Sequence, residues 1–126
     1  IDTIIIPTGG TEQNGPHLAL GKHNHVVRHN AGEIAKRLGG TLVAPVIAHV
    51  PEDVHMPWAG TVTISEATFE ALLTETAESY IRHGFRNIVF LGDSHGNQQG
   101  QEKVAARLQK KHESDGVKVV HAGDYY

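Results

Sequence analysis

The chain of 126 residues contains no cysteine, which excludes disulfides, thiolate metal sites and cysteine nucleophiles. Because cysteine-free proteins fit a reducing compartment, we expect a cytoplasmic location. No apolar run approaches the roughly 20 residues that a membrane-spanning helix needs. No signal-peptide pattern is present at the start of the sequence either. We therefore expect no membrane partner.

Positive charge is also sparse. Lysine and arginine number 11 against 14 acidic residues, and they are scattered rather than gathered into a basic stripe. With a net charge of −3 when the histidines are neutral, nucleic acid is not an expected partner. The glycines at positions 9, 10 and 15 form neither a dinucleotide fingerprint nor a P-loop, which argues against nucleotide binding.

Histidine, by contrast, is abundant, with ten in the chain. Imidazole is both the commonest metal ligand and the acid–base group best suited to neutral pH. Any single histidine is more often an exposed or capping residue. That interpretation weakens where histidines cluster in loops beside carboxylates, as they do at His17, His23, His25, His55 and His95.

Short apolar runs alternate with segments of helical periodicity. The pattern predicts strands at residues 3–7, 41–47, 61–64, 87–91 and 117–121, and helices at about residues 25–38, 66–83 and 98–111. Ser65 is a good N-cap for the second helix. Such alternation implies right-handed βαβ crossovers. We predict an α/β fold with three α/β/α layers, a mostly parallel sheet, and one domain over residues 1–126.

Two glycine-rich loops follow predicted strands, at residues 8–18 and 92–98. In open α/β sheets, ligands bind at the carboxyl ends of the strands. The chemistry-bearing residues expected there are Glu12, His17, His23, Asp93 and His95. A Zn²⁺ or Mn²⁺ ion accepts carboxylate and imidazole together. The alternative is that the carboxylates cap turns or helix ends while the histidines bond to loop backbone.

A rival hypothesis comes from residues 92–96, which read G-x-S-x-G, the nucleophile pattern of α/β-hydrolases. It would make Ser94 the nucleophile. Against it, those hydrolases are longer, and their acid and histidine follow the serine. After His95, the only acidic residues and histidines in this chain are Glu102, His112, Glu113, Asp115, His121 and Asp124.

The motifs resemble those of the creatininase (creatinine amidohydrolase) family over nearly the whole chain. Residues 12–23 read EQNGPHLALGKH, against the family's EQHGPHLPLGTD, without a gap. Residues 55–61 read HMPWAGT against HxxFPGT. The segment HGFR at residues 83–86 precedes GDSHGN at residues 92–97, where the family has NGHGGN. The resemblance implies the family's fold and its oligomeric assembly, so we expect a homo-oligomer. Family members are about twice this length, so we expect the domain to be truncated relative to them.

The resemblance also implies a two-metal site on the glutamate, first histidine and aspartate of the first motif and the histidine of the third. Only Glu12 carries over unchanged, because Asn14 replaces the first histidine and His23 replaces the aspartate. The third-motif histidine falls on Ser94, between Asp93 and His95. The resulting prediction is about one divalent ion, Zn or Mn, per chain. Its ligands would be Glu12, His23 and either Asp93 or His95.

Two functional hypotheses follow. The first is a metal-dependent amidohydrolase that attacks a C–N bond of a small cyclic or linear amide through metal-activated water. His55 and His95 would move protons, and His17 and Trp58 would contact the small-molecule substrate. The second is a creatininase-fold domain without catalysis, serving as a small-molecule-binding or assembly subunit. The loop at residues 51–61, which carries Trp58, faces either a substrate or a neighbouring subunit.

Overall fold

A computed structural model describes all residues from 1 to 126. The four strands are β1 (Thr3–Thr8), β2 (Thr41–Val43), β3 (Asn87–Gly92) and β4 (Lys118–His121). They form one parallel sheet in the order β2-β1-β3-β4. The three helices are α1 (Lys22–Leu38), α2 (Glu66–Arg82) and α3 (Gln98–His112). Short 3₁₀ turns lie at Asp53–His55, His95–Asn97, Glu113–Asp115 and Gly123–Tyr125.

Helices cover both faces of the sheet because side chains along each strand alternate between the faces. Ile5 of β1 packs against α1, in a cluster that includes Val27 and Ala31. Its neighbours Ile4 and Ile6 pack on the opposite face, in a larger cluster with side chains of α2 and α3. Full burial of each such aliphatic side chain contributes about 1.5–3 kcal/mol. The predicted α/β fold with three layers and a parallel sheet is confirmed.

The second predicted strand, residues 41–47, is shorter than expected. β2 ends at Val43, and beyond it only a single bridge joins Ile47 to Thr8. Pro45 lies between them and has no N–H to donate to a ladder. The predicted strand at residues 61–64 also forms only isolated bridges, Thr11–Val62 and Val50–Thr63. The first bridge ties the loop before α2 to the loop after β1, and the second closes the loop between β2 and α2 on itself.

The residue at which a helix begins determines which of its side chains lie at the edge of the sheet. Ser65 caps α2 as predicted, its Oγ accepting the Thr68 N–H at 3.1 Å. Helix α1 begins at Lys22, three residues before the predicted start, so His23 lies in its first turn. No helix combines the length and the hydropathy that crossing a bilayer requires.

Candidate active site

Polar side chains from three loops and from the first turn of α1 meet at the carboxyl ends of β1 and β3. Glu12 follows β1, His23 lies in the first turn of α1, and Asp93 directly follows β3. Glu52 and His55 come from the loop between β2 and α2. All of these except Asp93 line a pocket of about 300 Å³. This is the edge at which the sequence predicted a ligand site.

His23 lies buried between two carboxylates. Its Nε2 is 2.6 Å from Glu12 Oε1, and its Nδ1 is 2.9 Å from Asp93 Oδ2. Each ring nitrogen therefore faces a carboxylate oxygen at hydrogen-bond distance. The structure thus brings together three of the predicted metal ligands. In this arrangement the ring of His23 has no free nitrogen for an ion, and its role as a ligand stays a prediction.

On the other side of Glu12 lies a second group of donors. His55 Nε2 is 3.2 Å from Glu12 Oε2 and 4.0 Å from Glu52 Oε2. One ligand atom from each of these three residues falls within 4.8 Å of the others. Glu52 is only 3% exposed, and the Ser94 hydroxyl donates to its Oε1 at 3.0 Å. Two buried carboxylates therefore face one imidazole.

The two carboxyl groups of this cluster differ in pKa. Burial raises the pKa of Glu52 to about 8, and the neighbouring Glu12 adds to the rise. Burial also opposes ionisation of Glu12, but hydrogen bonds to Glu52 and His23 and attraction to His23 and His55 outweigh it, so its pKa lies below the usual range. The pair therefore holds one negative charge and one proton near neutral pH, with the proton on Glu52.

The donor set fits a divalent cation. Carboxylate and imidazole together suit Zn²⁺ and Mn²⁺. A buried carboxyl that keeps its proton beside an ionised partner lacks a compensating positive charge, which such an ion would supply. The residues that would hold it are Glu12, Glu52 and His55, and of these the sequence analysis identified only Glu12 as a ligand.

Two glycines allow the Glu52 loop to approach the sheet edge. A Cβ at Gly10 would lie 2.6 Å from Glu52 Oε1. A Cβ at Gly96 would overlap the carbonyl oxygen of Pro51. A larger residue at Gly10 would displace the Glu52 carboxylate, and one at Gly96 would push away the backbone of Pro51, so a glycine at each position has a steric reason.

Asp93 does not line the pocket, and its second carboxylate oxygen is also hydrogen-bonded. The Tyr125 hydroxyl donates to Asp93 Oδ1 at 2.8 Å, and Asn30 Nδ2 donates to the Tyr125 oxygen at 2.9 Å. Burial and the Asp93 carboxylate raise the pKa of Tyr125 to about 12, although the bond from Asn30 opposes the rise. Tyr125 thus keeps its proton and remains the donor.

Of the residues at the third motif, His95 is exposed and lines the wall of the pocket. Ser94 is buried, has extended backbone angles (φ −163°, ψ 148°), and its hydroxyl donates a hydrogen bond to Glu52. A nucleophilic serine needs a general base at its hydroxyl and exposure to substrate. Its burial and its carboxyl partner disfavour the serine-hydrolase hypothesis.

The two predicted substrate contacts lie in exposed loops. Trp58 is 56% exposed, and its ring centroid is 6.3 Å from that of His55. A pocket of about 530 Å³ lies beside Trp58 and is lined also by His55 and Pro16. His17 is exposed nearby in sequence but does not line that pocket. Both assignments stay predictions.

Sequence reasoning missed Glu52 and Tyr125. Glu52 lies outside the recognised motifs, and its only signal is the spacing E-x-x-H to His55. That spacing places the two residues on one side of the 3₁₀ turn at residues 53–55. Tyr125 lies in the last turn of the chain, more than 30 residues from Asp93, and no local pattern links them. Asn14, the changed first-motif residue, donates to the Glu12 backbone oxygen at 3.0 Å.

The sequence of this chain is similar to those of several known proteins. A sequence profile of the creatininase family, described as creatinine amidohydrolase, matches residues 1–125. The mycofactocin precursor peptide peptidase of Mycolicibacterium smegmatis is 32% identical over 113 residues, which are 86% of this chain and 45% of that protein. The 3-dehydro-scyllo-inosose hydrolase of Thermotoga maritima is 31% identical over 103 residues, or 82% of this chain and 32% of that protein. The chain spans less than half the length of these relatives.

Solved structures agree on the fold. A mutant creatininase superposes with a TM-score of 0.82 at 20% identity, over 97% of this chain and 51% of that one. A manganese form of creatininase gives a TM-score of 0.75 at 20% identity, over 94% and 48%. A mutant creatininase of Zn-Zn type gives 0.73 at 21% identity, over 97% and 51%. At these identities the likeness establishes the fold.

Proposed function

Because this chain belongs to the creatininase (creatinine amidohydrolase) family, we propose that it is a metal-dependent hydrolase acting on a C–N bond of a small cyclic or linear amide. The donor group of Glu12, Glu52 and His55 carries this proposal, since its ligand atoms converge within 4.8 Å. Two matched relatives are named as a peptide peptidase and a hydrolase, which supports hydrolysis as the reaction type.

In this proposal Glu12, Glu52 and His55 hold one Zn²⁺ or Mn²⁺ ion per chain. The ion supplies Lewis acidity when bound, which polarises a carbonyl and lowers the pKa of water. Three protein ligands are typical of a catalytic zinc site. The zinc and manganese forms of creatininase support the choice of ions. We assign His23 and Asp93 to a supporting role behind Glu12, because each is already bonded to another side chain.

Proton transfer falls to His95 in this assignment, since His55 is engaged as a ligand. The exposed His95 imidazole lines the same pocket as the ligands. Amide hydrolysis adds the oxygen of one water to the carbonyl carbon, and the nitrogen leaves with a proton as the C–N bond breaks. A histidine at the pocket wall can deliver that proton near neutral pH. Trp58 and Pro16 would then contact the substrate beside His55.

The test is metal content by elemental mass spectrometry on protein purified without a histidine tag or chelator. We expect about one Zn or Mn ion per native chain, and loss of that ion in Glu12→Ala and Glu52→Ala variants. His17→Ala, an exposed histidine outside both pockets, is the control for nonspecific metal uptake and should keep the ion. Metal-loaded protein would then be assayed with small cyclic and linear amides. A native chain that binds no ion and hydrolyses none of them would overturn the proposal.

A second candidate function is a creatininase-fold subunit without catalysis, which binds a small molecule or assembles with other copies. The observation that favours it is the state of two substituted motif positions. Asn14 bonds to backbone and Ser94 bonds to Glu52, so neither supplies the ligand expected there. Metal-dependent turnover of an amide by the isolated chain would exclude this candidate.

A further inference from the structure

Behind Glu12, a continuous line of hydrogen bonds joins four side chains from distant parts of the chain. Asn30 donates to Tyr125 at 2.9 Å, and Tyr125 donates to Asp93 at 2.8 Å. Asp93 binds His23 Nδ1 at 2.9 Å, and His23 Nε2 reaches Glu12 at 2.6 Å. We propose that Asn30, Tyr125 and Asp93 are positioning residues, which fix the ring of His23 and thereby aim the Glu12 carboxylate at the metal. This inference rests on the proposed function.

The direction of each bond explains how the line works. Both oxygens of Asp93 are engaged, Oδ1 by Tyr125 and Oδ2 by His23, so the plane of its carboxylate is set. An imidazole held at Nδ1 cannot turn over without breaking that bond. Its Nε2 therefore stays at Glu12 Oε1. The second oxygen of Glu12, Oε2, is left facing His55 at 3.2 Å.

Burial makes the line rigid. His23 and Glu12 are both buried, so neither bond exchanges readily with water. The Tyr125 side chain packs against the cluster of Ile5, Val27 and Leu91 under α1, which holds its hydroxyl at Asp93. Outer residues that orient metal ligands in this way typically contribute about 10–100-fold to metal affinity.

Tyr125→Phe is the direct test, because it keeps the packed ring and removes only the hydroxyl. We expect the Kd for Mn²⁺ or Zn²⁺, measured by titration calorimetry on the full chain, to rise about 10-fold. Asn30→Ala should weaken binding in the same direction by less, since Tyr125 keeps its bond to Asp93. Tyr80→Phe is the matched control. Tyr80 packs edge-to-face on Phe85 at 5.6 Å, away from the site, and its loss of a hydroxyl should leave the Kd unchanged.

A second readout needs no metal. In metal-free protein, the ¹⁵N resonances of the His23 ring report the hydrogen bonding of its two nitrogens. We expect the same two ring resonances in the native chain and in Tyr80→Phe, and a shifted Nδ1 resonance in Tyr125→Phe. This readout separates positioning from a general loss of folding, which would broaden all signals.

The outcomes distinguish this inference from the proposed function. Native protein that binds metal, together with Tyr125→Phe of equal Kd and an unchanged His23 signal, overturns the inference alone. Native protein that binds neither ion overturns both. A higher Kd in Tyr125→Phe and Asn30→Ala, with the Kd of Tyr80→Phe unchanged, supports the role of Asn30, Tyr125 and Asp93 in positioning His23.

Discussion

Two histidines in this molecule are each held between two carboxylates, in very different surroundings. His23 lies at the strand ends, in contact with the carboxylates of the pocket. His112 is the last residue of α3. Its Nε2 is 3.0 Å from Glu78 of α2, and its Nδ1 is 3.2 Å from Asp115 in the turn that follows α3. The residue types are the same, and so is the pattern of contacts.

The difference lies in what surrounds each cluster. Lys111 also pairs with Glu78 at 2.8 Å, and the side chains of Glu78 and Asp115 are 28% and 60% exposed. Every charge there has a partner or water. At His23 the carboxylates are largely buried, and Glu52 adds one more buried carboxyl than the positive charge can balance. A buried surplus of carboxyl groups, rather than the presence of histidine, distinguishes a candidate metal site from a structural clasp.

The strongest test of this comparison removes each histidine in turn. His23→Ala leaves Glu12 and Asp93 in a buried site without the imidazole that bonds to both, so we expect a loss of about 3–5 kcal/mol in the free energy of unfolding. His112→Ala leaves Glu78 paired with Lys111 and should cost about 1 kcal/mol. Urea unfolding of the metal-free proteins at pH 7 measures both. Equal losses in the free energy of unfolding would show that the difference in burial between the two clusters does not affect stability.

The next test exchanges one glutamate in each cluster. The pKa of Glu52 is raised to about 8, so between about pH 4.5 and 8 the folded state keeps a proton that the unfolded state releases. The free energy of unfolding should therefore fall as pH rises through that window, by at most about 1.4 kcal/mol per pH unit. Glu52→Gln should remove this slope, stabilise the metal-free protein at pH 8 by about 1–3 kcal/mol, and weaken metal binding.

Glu78→Gln is the matched change with the opposite sign. Burial opposes ionisation of Glu78, but Lys111 and His112 together outweigh it and hold its pKa below the usual range. The stabilisation from its charge is present above the unfolded pKa and lost as pH falls through the folded one. The variant should therefore be less stable than the native chain at pH 7. Stabilisation by both glutamine substitutions would contradict the proposed difference between the clusters.

A smaller effect is expected from titration of His112. The bond to Glu78 raises its pKa, burial opposes the rise, and Asp115 and Glu78 add to it, while Lys111 acts against it. Its stabilising contribution is complete below the unfolded pKa and is lost as pH rises through the folded pKa. We expect a decline of about 1 kcal/mol or less above neutral pH, absent in His112→Gln. Because Glu52 titrates over part of the same range, both proteins should carry Glu52→Gln. Parallel pH profiles would refute the prediction.

Sequence patterns predicted the layers well because burial imposes periodicity. The alternation of Ile4, Ile5 and Ile6 between two faces, and the Ser65 cap of α2, are local signals. Glu12, His23 and Asp93 were expected together because parallel strands bring their carboxyl ends to one edge. Glu52 could not be predicted, since it reaches Glu12 through loop packing over Gly10. That contact depends on tertiary structure alone.

The last contrast uses two aspartates. Asp115 is 60% exposed, so Asp115→Asn should change the free energy of unfolding by about 0.5 kcal/mol or less, because water replaces the lost charge. The two oxygens of Asp93 bond to Tyr125 and His23, so Asp93→Asn replaces one of these oxygens with an amide nitrogen, which donates a hydrogen bond and cannot accept one. It should cost about 1–3 kcal/mol, as one donor loses its partner. Urea unfolding of the two variants at pH 7 provides the measurement. Equal and small changes would mean that the line behind Glu12 is as loosely held as the clasp at His112, and that Tyr125 cannot position anything through it.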